Sequence, residues 1–183
     1  MAGRLKTVTV FGSGKVTAGD RVYQQAWELG RALARSDLMV CNGGYGGIME
    51  ASARGAKEAG GKTIGVTTKA FGCGANRWID REICEETHAA RLLKLIELGN
   101  AYVVMPGGTG TLVELATVWE YRNKGLMTQK PIHVLGDFWN PVIEHLNEIL
   151  MQEGSLSAAQ TVHRVGSIDE CVKRIGERLR GED

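Results

Sequence analysis

Met105-Pro106-Gly107-Gly108-Thr109-Gly110-Thr111-Leu112-Val113-Glu114 stands between two segments of different periodicity. Before it, residues 101–105 form a short apolar run, the pattern of a buried strand. After it, residues 112–122 carry apolar side chains at helical spacing. The glycines therefore fall at a strand-to-helix turn. Gly107, Gly108 and Gly110 lack a Cβ, so the backbone there can aim several N–H groups at one spot. A helix start adds partial positive charge, which suits a phosphate or another anion. The same reading puts the Glu114 carboxylate in the first helical turn. An anion cradle with a carboxylate beside it points to chemistry on a phosphorylated sugar.

Outward from this turn, strand and helix patterns alternate. Residues 6–11 alternate and are β-branched, and Gly12-Ser13-Gly14 ends that strand. Residues 20–34 read as a helix with Asp20 placed to cap it. A second strand, 38–41, is closed by Asn42-Gly43-Gly44-Tyr45-Gly46-Gly47 and followed by a small-residue helix, 48–59. A third strand covers 63–67. Residues 68–87 lack a period and read as a long functional loop with room for a short strand. A helix over 89–98 leads into the strand at 101, whose helix runs to about residue 124. A strand at 131–135 follows, then a helix at 139–153 with Pro141 in its first turn. A short strand at 162–165 precedes a closing helix at 168–179 capped by Ser167. This order predicts one α/β domain over residues 1–183, an open, mostly parallel sheet with helices on both faces. Ligands of such sheets sit at the carboxyl ends of the strands. The three glycine clusters, 12–14, 43–47 and 107–110, are thus expected along one edge.

Composition narrows the function classes. With 183 residues, 43% of them hydrophobic, the chain can bury one sizeable core. A net charge of +1 offers no electrostatic footprint for nucleic acid or an anionic membrane, so neither is expected as a partner. No segment approaches the roughly 18 apolar residues of a membrane span, and the first residues lack a secretory apolar run. A cytoplasmic location is the expectation. Cys41, Cys73, Cys84 and Cys171 show no CxxC spacing, so neither a disulfide framework nor a zinc or other metal site is expected.

Gly12 and Ser13 form either an ordinary turn or part of a substrate site. Gly43, Gly44, Gly47 and Met49 carry a stronger signal, since small residues after them let a helix approach a ligand or the sheet closely. This cluster is not a dinucleotide fingerprint, which belongs after the first strand, nor an NTPase phosphate loop, which needs Gly-Lys-Ser/Thr. Arg91 can fork onto a phosphate or ribose hydroxyls, but taken alone it reads more readily as a solvated surface arginine. His88, one turn before it, reads as a surface residue. Glu114 in a first turn could do no more than stabilise the helix dipole. Trp78 reads as a loop anchor, and Trp119, Tyr121 and Met127 as core or subunit contacts.

Pro106-Gly107-Gly108-Thr109-Gly110-Thr111-Leu112-Val113-Glu114 resembles the Pro-Gly-Gly-x-Gly-Thr-x-x-Glu signature of the Lonely Guy family. Gly43-Gly44-x-x-Gly47-x-Met49 resembles that family's second glycine motif, and Arg91 stands at the spacing of its catalytic arginine. The resemblance extends from Val8 to the closing helix. The chain differs from the pattern at Asn42, Glu50, Leu92 and Thr117, and Gly46 to Ala51 looks like a sister group that includes a molybdenum cofactor carrier protein. The resemblance implies a Rossmann-like homodimer without a cofactor. It implies an enzyme that hydrolyses nucleoside 5′-monophosphates, of AMP or cytokinin type, to free base and ribose 5-phosphate. It further implies that Gly107, Gly108, Thr109, Gly110 and Thr111 hold the 5′-phosphate, with Arg91 and Glu114 as the catalytic pair.

Breaking a ribosyl C–N bond builds positive charge on the sugar, as in glycoside hydrolysis. Glu114 is expected to stabilise that charge and to orient water. Arg91 is expected to align the sugar and to keep the carboxylate ionised. Two other classes compete. One is a non-catalytic carrier of a nucleotide or molybdenum cofactor. The other is a lysine decarboxylase, which needs a Schiff-base lysine; Lys62, Lys69, Lys94, Lys124 and Lys130 offer no such context.

Overall fold

β1 (Thr7–Phe11) is buried along its whole length and forms the middle of the sheet. The structure, a computed structural model, describes residues 5–181. On one side of β1 lie β2 (Met39–Asn42), β3 (Thr63–Thr68) and β4 (Arg81–Glu85). On the other lie β5 (Ala101–Val104), β6 (Ile132–Leu135) and β7 (Val162–Val165). Every neighbouring pair is parallel, in the order β4-β3-β2-β1-β5-β6-β7. The helices are α1 (Arg21–Arg35), α2 (Ile48–Glu58), α3 (His88–Leu98), α4 (Thr109–Asn123), α5 (Asn140–Gln152), α6 (Leu156–Ala159) and α7 (Ile168–Arg180). This is the Rossmann-like architecture expected from the alternating pattern, with every strand pair parallel.

The two-residue period of β1 divides the core. Val8 and Val10 join Leu29, Leu33, Ile48 and Ile175 on the side of α1, α2 and α7. Phe11 joins Leu95, Leu115, Trp119 and Ile143 on the side of α3, α4 and α5. Strand order reverses at β1, between β2 and β5, which is where open α/β sheets leave a crevice at their carboxyl edge. The loops after β1, β2 and β5 all reach that crevice. Trp119 and Met127 are core groups, with Trp119 Nε1 donating to Ala158 O (2.8 Å) and Met127 Sδ 3.7 Å from the Tyr102 hydroxyl.

Several expectations are corrected. The stretch 68–87 holds a short strand, as the sequence allowed, but it is a paired edge strand of the sheet: β4 runs beside β3 from Ile64↔Arg81 to Thr68↔Glu85. Its charged Arg81, Glu82 and Glu85 hide it from a hydrophobicity pattern, because an edge strand has no second strand to bury it. The same strand explains a disulfide that spacing did not suggest. β4 lays Cys84 beside the returning loop, whose Gly74 N–H donates to Glu82 Oε1 (2.8 Å), and Cys73 bonds to Cys84 with Cα atoms 5.9 Å apart. Asp20 occupies the N-cap position of α1 without capping it; its carboxylate accepts from the N–H (2.6 Å) and the hydroxyl (3.0 Å) of Thr17 instead. Ser167 does cap α7, accepting from Glu170 N (3.2 Å). α4 begins at Thr109, so Glu114 lies in the second turn, beyond the reach of a simple dipole role.

The small residues of α2 serve helix packing as well as the crevice. Gly55 on α2 and Gly30 on α1 let the two backbones cross so closely that a Cβ on Gly30 would overlap the Ser52 carbonyl. A backbone group cannot swing aside as a side chain can. Gly30→Ala is therefore expected to destabilise the fold by about 1–3 kcal/mol, measured as a lower urea midpoint. An unchanged midpoint would show that α1 and α2 can slide apart freely.

Candidate active site

Ser13 ties the three glycine loops together through its backbone. Its N–H donates to Pro106 O (3.0 Å), and its carbonyl accepts from Ile48 N at the start of α2 (2.8 Å). The chain can enter α2 at this angle because Gly47 takes φ +66°, where a Cβ would strike Ser13 O. Asn42 braces the second loop from beneath. Its side-chain N–H groups donate to Met49 O (2.8 Å) and Ser52 Oγ (3.1 Å), and its oxygen accepts from Gly44 N (2.9 Å). Asn76 completes the brace by donating to Gly44 O (3.1 Å) and Tyr45 O (2.7 Å).

Residues 107–110 form the lip of this crevice. Gly108 is the N-cap of α4 and offers no side chain to the free N–H groups of the first turn; the first backbone bond into the helix runs from Leu112 N to Gly108 O (3.0 Å). Gly108, Thr109 and Gly110 are exposed, while Thr111 is buried against Gly107. The arrangement presents unclaimed donors and a helix dipole to whatever enters.

Arg91 is not a surface residue. It is 5% exposed, anchored under the loops by Nε to Val66 O (2.7 Å) and Nη2 to Gly43 O (3.2 Å). Gly43 has no Cβ to fill the place of that guanidinium, and Met49 Sδ lies 3.8 Å from Nη2. The Tyr45 ring faces the cation at 5.4 Å. Among the described residues no acceptor takes the Nη1 protons.

Glu114 is the carboxylate that acts on Arg91 electrostatically, without approaching to ion-pair distance. Burial pushes the Glu114 carboxyl up to about 7, and the Arg91 charge only partly opposes this. The expectation that Arg91 keeps Glu114 ionised is therefore corrected: desolvation outweighs the attraction and brings the carboxyl up to about 7. Such a group can give or take a proton readily.

An aromatic row leads out from Arg91. The Tyr45 hydroxyl accepts from Thr68 N (2.9 Å) and donates to Gly72 O (3.0 Å), which fixes the ring. Tyr45 meets Phe71 edge-on at 6.4 Å, and Phe71 meets His88 at 5.1 Å. Phe71 is 62% exposed, an unusual place for a phenyl ring. Trp78 lies elsewhere, between Arg54 and Arg77, as a loop anchor.

Gly12, Ser13, Gly43, Gly44, Gly47, Met49, Arg91 and residues 107–111 are thus brought to one crevice, with Glu114 coupled to it through Arg91. Sequence reasoning passed over the parts played by Asn42, Tyr45, Phe71 and Asn76. An Asn directly before Gly43-Gly44 is an Asx-turn signal that could have found the first. Nothing local marks the other three.

A family model described as the SLOG cluster4 family matches residues 5–172. A cytokinin riboside 5′-monophosphate phosphoribohydrolase from Rhodococcoides fascians is 31% identical over 161 residues, spanning 84% of this chain and 80% of that protein. One from Mycobacterium tuberculosis is 34% identical over 136 residues, spanning 73% and 71%. Among solved structures, the molybdenum cofactor (Moco) carrier protein of Chlamydomonas reinhardtii aligns with a TM-score of 0.78 at 24% identity, covering 97% of this chain and 99% of that one. That last likeness is one of fold alone. With both glycine motifs and Arg91 inside the matched span, the chain belongs to the SLOG cluster4 family, alongside the Lonely Guy phosphoribohydrolases it resembles.

Proposed function

We propose that this chain hydrolyses the N-glycosidic bond of a nucleoside 5′-monophosphate, releasing the base and ribose 5-phosphate. The observation that carries the reading is a Glu114 carboxyl held near neutral pKa beside a buried Arg91, next to the uncapped start of α4. The names of the curated relatives support it. The 5′-phosphate sits on the N–H groups of residues 107–111. The ribose lies between that lip and Arg91, whose Nη1 meets its hydroxyls. As the C–N bond breaks, its electron pair leaves with the base nitrogen, which takes a proton from solvent, while Glu114 returns to solvent the proton it gains. The ionised Glu114 faces the positive sugar and removes a proton from the water that adds to C1′. Tyr45 and Phe71 give the base an aromatic wall.

Glu114→Gln is expected to lower base release from AMP, GMP, CMP or UMP by about 100-fold or more, followed by chromatography of free base. Adenosine, lacking the phosphate, is expected to be a poor substrate. Equal turnover of adenosine and AMP, or a fully active variant, contradicts this site. Retention of nucleotide by the wild-type chain with no base released favours a carrier.

The same substitution tests the electrostatics without substrate. The raised Glu114 pKa means that the folded chain holds a proton which the unfolded chain loses near the ordinary value of 4.5. Its contribution to stability is complete below that value and declines as pH rises through about 7. Relative to wild type, Glu114→Gln should therefore gain stability between pH 5 and pH 8, on the order of 2 kcal/mol. Parallel unfolding curves at the two pH values check it; no difference means that burial does not control this carboxyl.

The homodimer forms across α3 and α4, where Leu93 and Val113 remain 47% and 48% exposed. Sedimentation velocity should show a dimer that Val113→Asp weakens; a monomeric wild-type chain at micromolar concentration refutes this contact.

A further inference from the structure

The opposite edge of the sheet carries a second constellation that the proposed reaction does not use. β6 and β7 begin there, the length of a four-residue strand, roughly 13 Å, below the carboxyl edge that carries the glycine loops. A cavity of about 560 Å³ opens beside them, lined by Arg122, His133, His163, Arg174, Glu177 and Arg178 among others. That volume falls in the range of small-molecule sites.

His133 is its least ordinary member. The residue is 3% exposed, and neither ring nitrogen has a hydrogen-bond partner among the described residues. A buried imidazole without a partner is costly, and such groups need an explanation. His133 pairs in register with His163 on β7, with ring centroids 5.7 Å apart.

Around this pair the charge is lopsided. Arg122 reaches the cavity from the end of α4, held by Gln129 Oε1 (3.1 Å), Lys130 O (3.1 Å) and Thr161 O (3.4 Å). Arg174 and Arg178 stand one turn apart on α7, with Arg174 steadied by Glu170 (2.8 Å). Among the described lining residues, Glu177 is the one carboxylate beside three guanidinium groups. The cations feel one another: burial and then the Arg178 charge depress Arg122, while burial, His163, Arg174 and Arg122 push His133 down to about 4, against a small opposite pull from Glu170. His163 is depressed by burial, Arg122 and Arg174. His133 is therefore neutral near pH 7 and still carries one N–H to donate.

We propose that this cavity binds a phosphate-bearing small molecule, whose oxygens take the His133 N–H and the guanidinium groups of Arg122, Arg174 and Arg178. Forks arriving from two different helices suit a tetrahedral oxyanion better than a planar carboxylate. The space exceeds that of a lone phosphate and leaves room for an organic or second phosphoryl group. The inference does not depend on the reaction proposed for the glycine loops.

The test follows the ring carbon signals of His133 and His163 by NMR at pH 7.5. Inorganic phosphate, pyrophosphate and glucose 6-phosphate are added separately, with sodium chloride at matched ionic strength as the screening control. Saturable shifts at His133 and His163, with His145 unmoved, are expected for at least one probe. Tighter binding of glucose 6-phosphate or pyrophosphate than of inorganic phosphate identifies an esterified or diphosphate ligand; equal binding identifies free phosphate. The doubly substituted chain Arg174→Gln, Arg178→Gln should weaken the shift at least tenfold and keep its melting temperature and any base release, because both arginines are exposed on α7. The idea is overturned if no probe gives a saturable shift up to about 20 mM, well beyond a millimolar Kd, or if the double variant responds like wild type.

Discussion

Everything at the carboxyl edge of the sheet hangs on the backbone of Ser13. One residue gives its N–H to the loop after β5 and takes the first N–H of α2. Three loops that are far apart in the chain become one surface because that peptide is shared. The demand spreads outward: Gly47 must accept a left-handed conformation, Asn42 must brace the loop from below, and β1 must lie between β2 and β5. The switch in strand order supplies the last condition.

Inside this frame the electrostatics reduce to a contest between burial and attraction. Arg91 is removed from water and compensated by two carbonyls and an aromatic face, an incomplete substitute for solvent. Glu114 is near enough to feel the cation but too far to form an ion pair. A closer approach would lock the acid in its ionised form, and a more distant one would leave it protonated. The intermediate spacing keeps both protonation states accessible near neutral pH, the condition a proton-transfer group requires.

Much of this was legible in the residues. The order of strands and helices followed from periodicity, and the glycine clusters fell on one edge because parallel strands put all their carboxyl ends there. The failures have physical causes. β4 has no clear pattern within residues 68–87 because an edge strand has one bonded neighbour and can carry charge at three of its five positions. α4 starts three residues before its apolar periodicity because Thr109, Gly110 and Thr111 are weak helix formers, and the helix there is imposed by its surroundings. Arg91 gave no local hint of burial, since its acceptors lie on β3 and in the loop after β2. The Cys73–Cys84 bond depends on a strand pairing that must exist before the two thiols can meet.

The outermost strands have one more effect. β4 bears Arg81, Glu82 and Glu85, and β7 is only four residues long and bears Arg164. Charge and brevity make both rims poor templates for an added strand. Sheet extension from molecule to molecule, the usual hazard of an open parallel sheet, is thereby discouraged at both ends, and any orderly self-assembly is steered to the helical flanks.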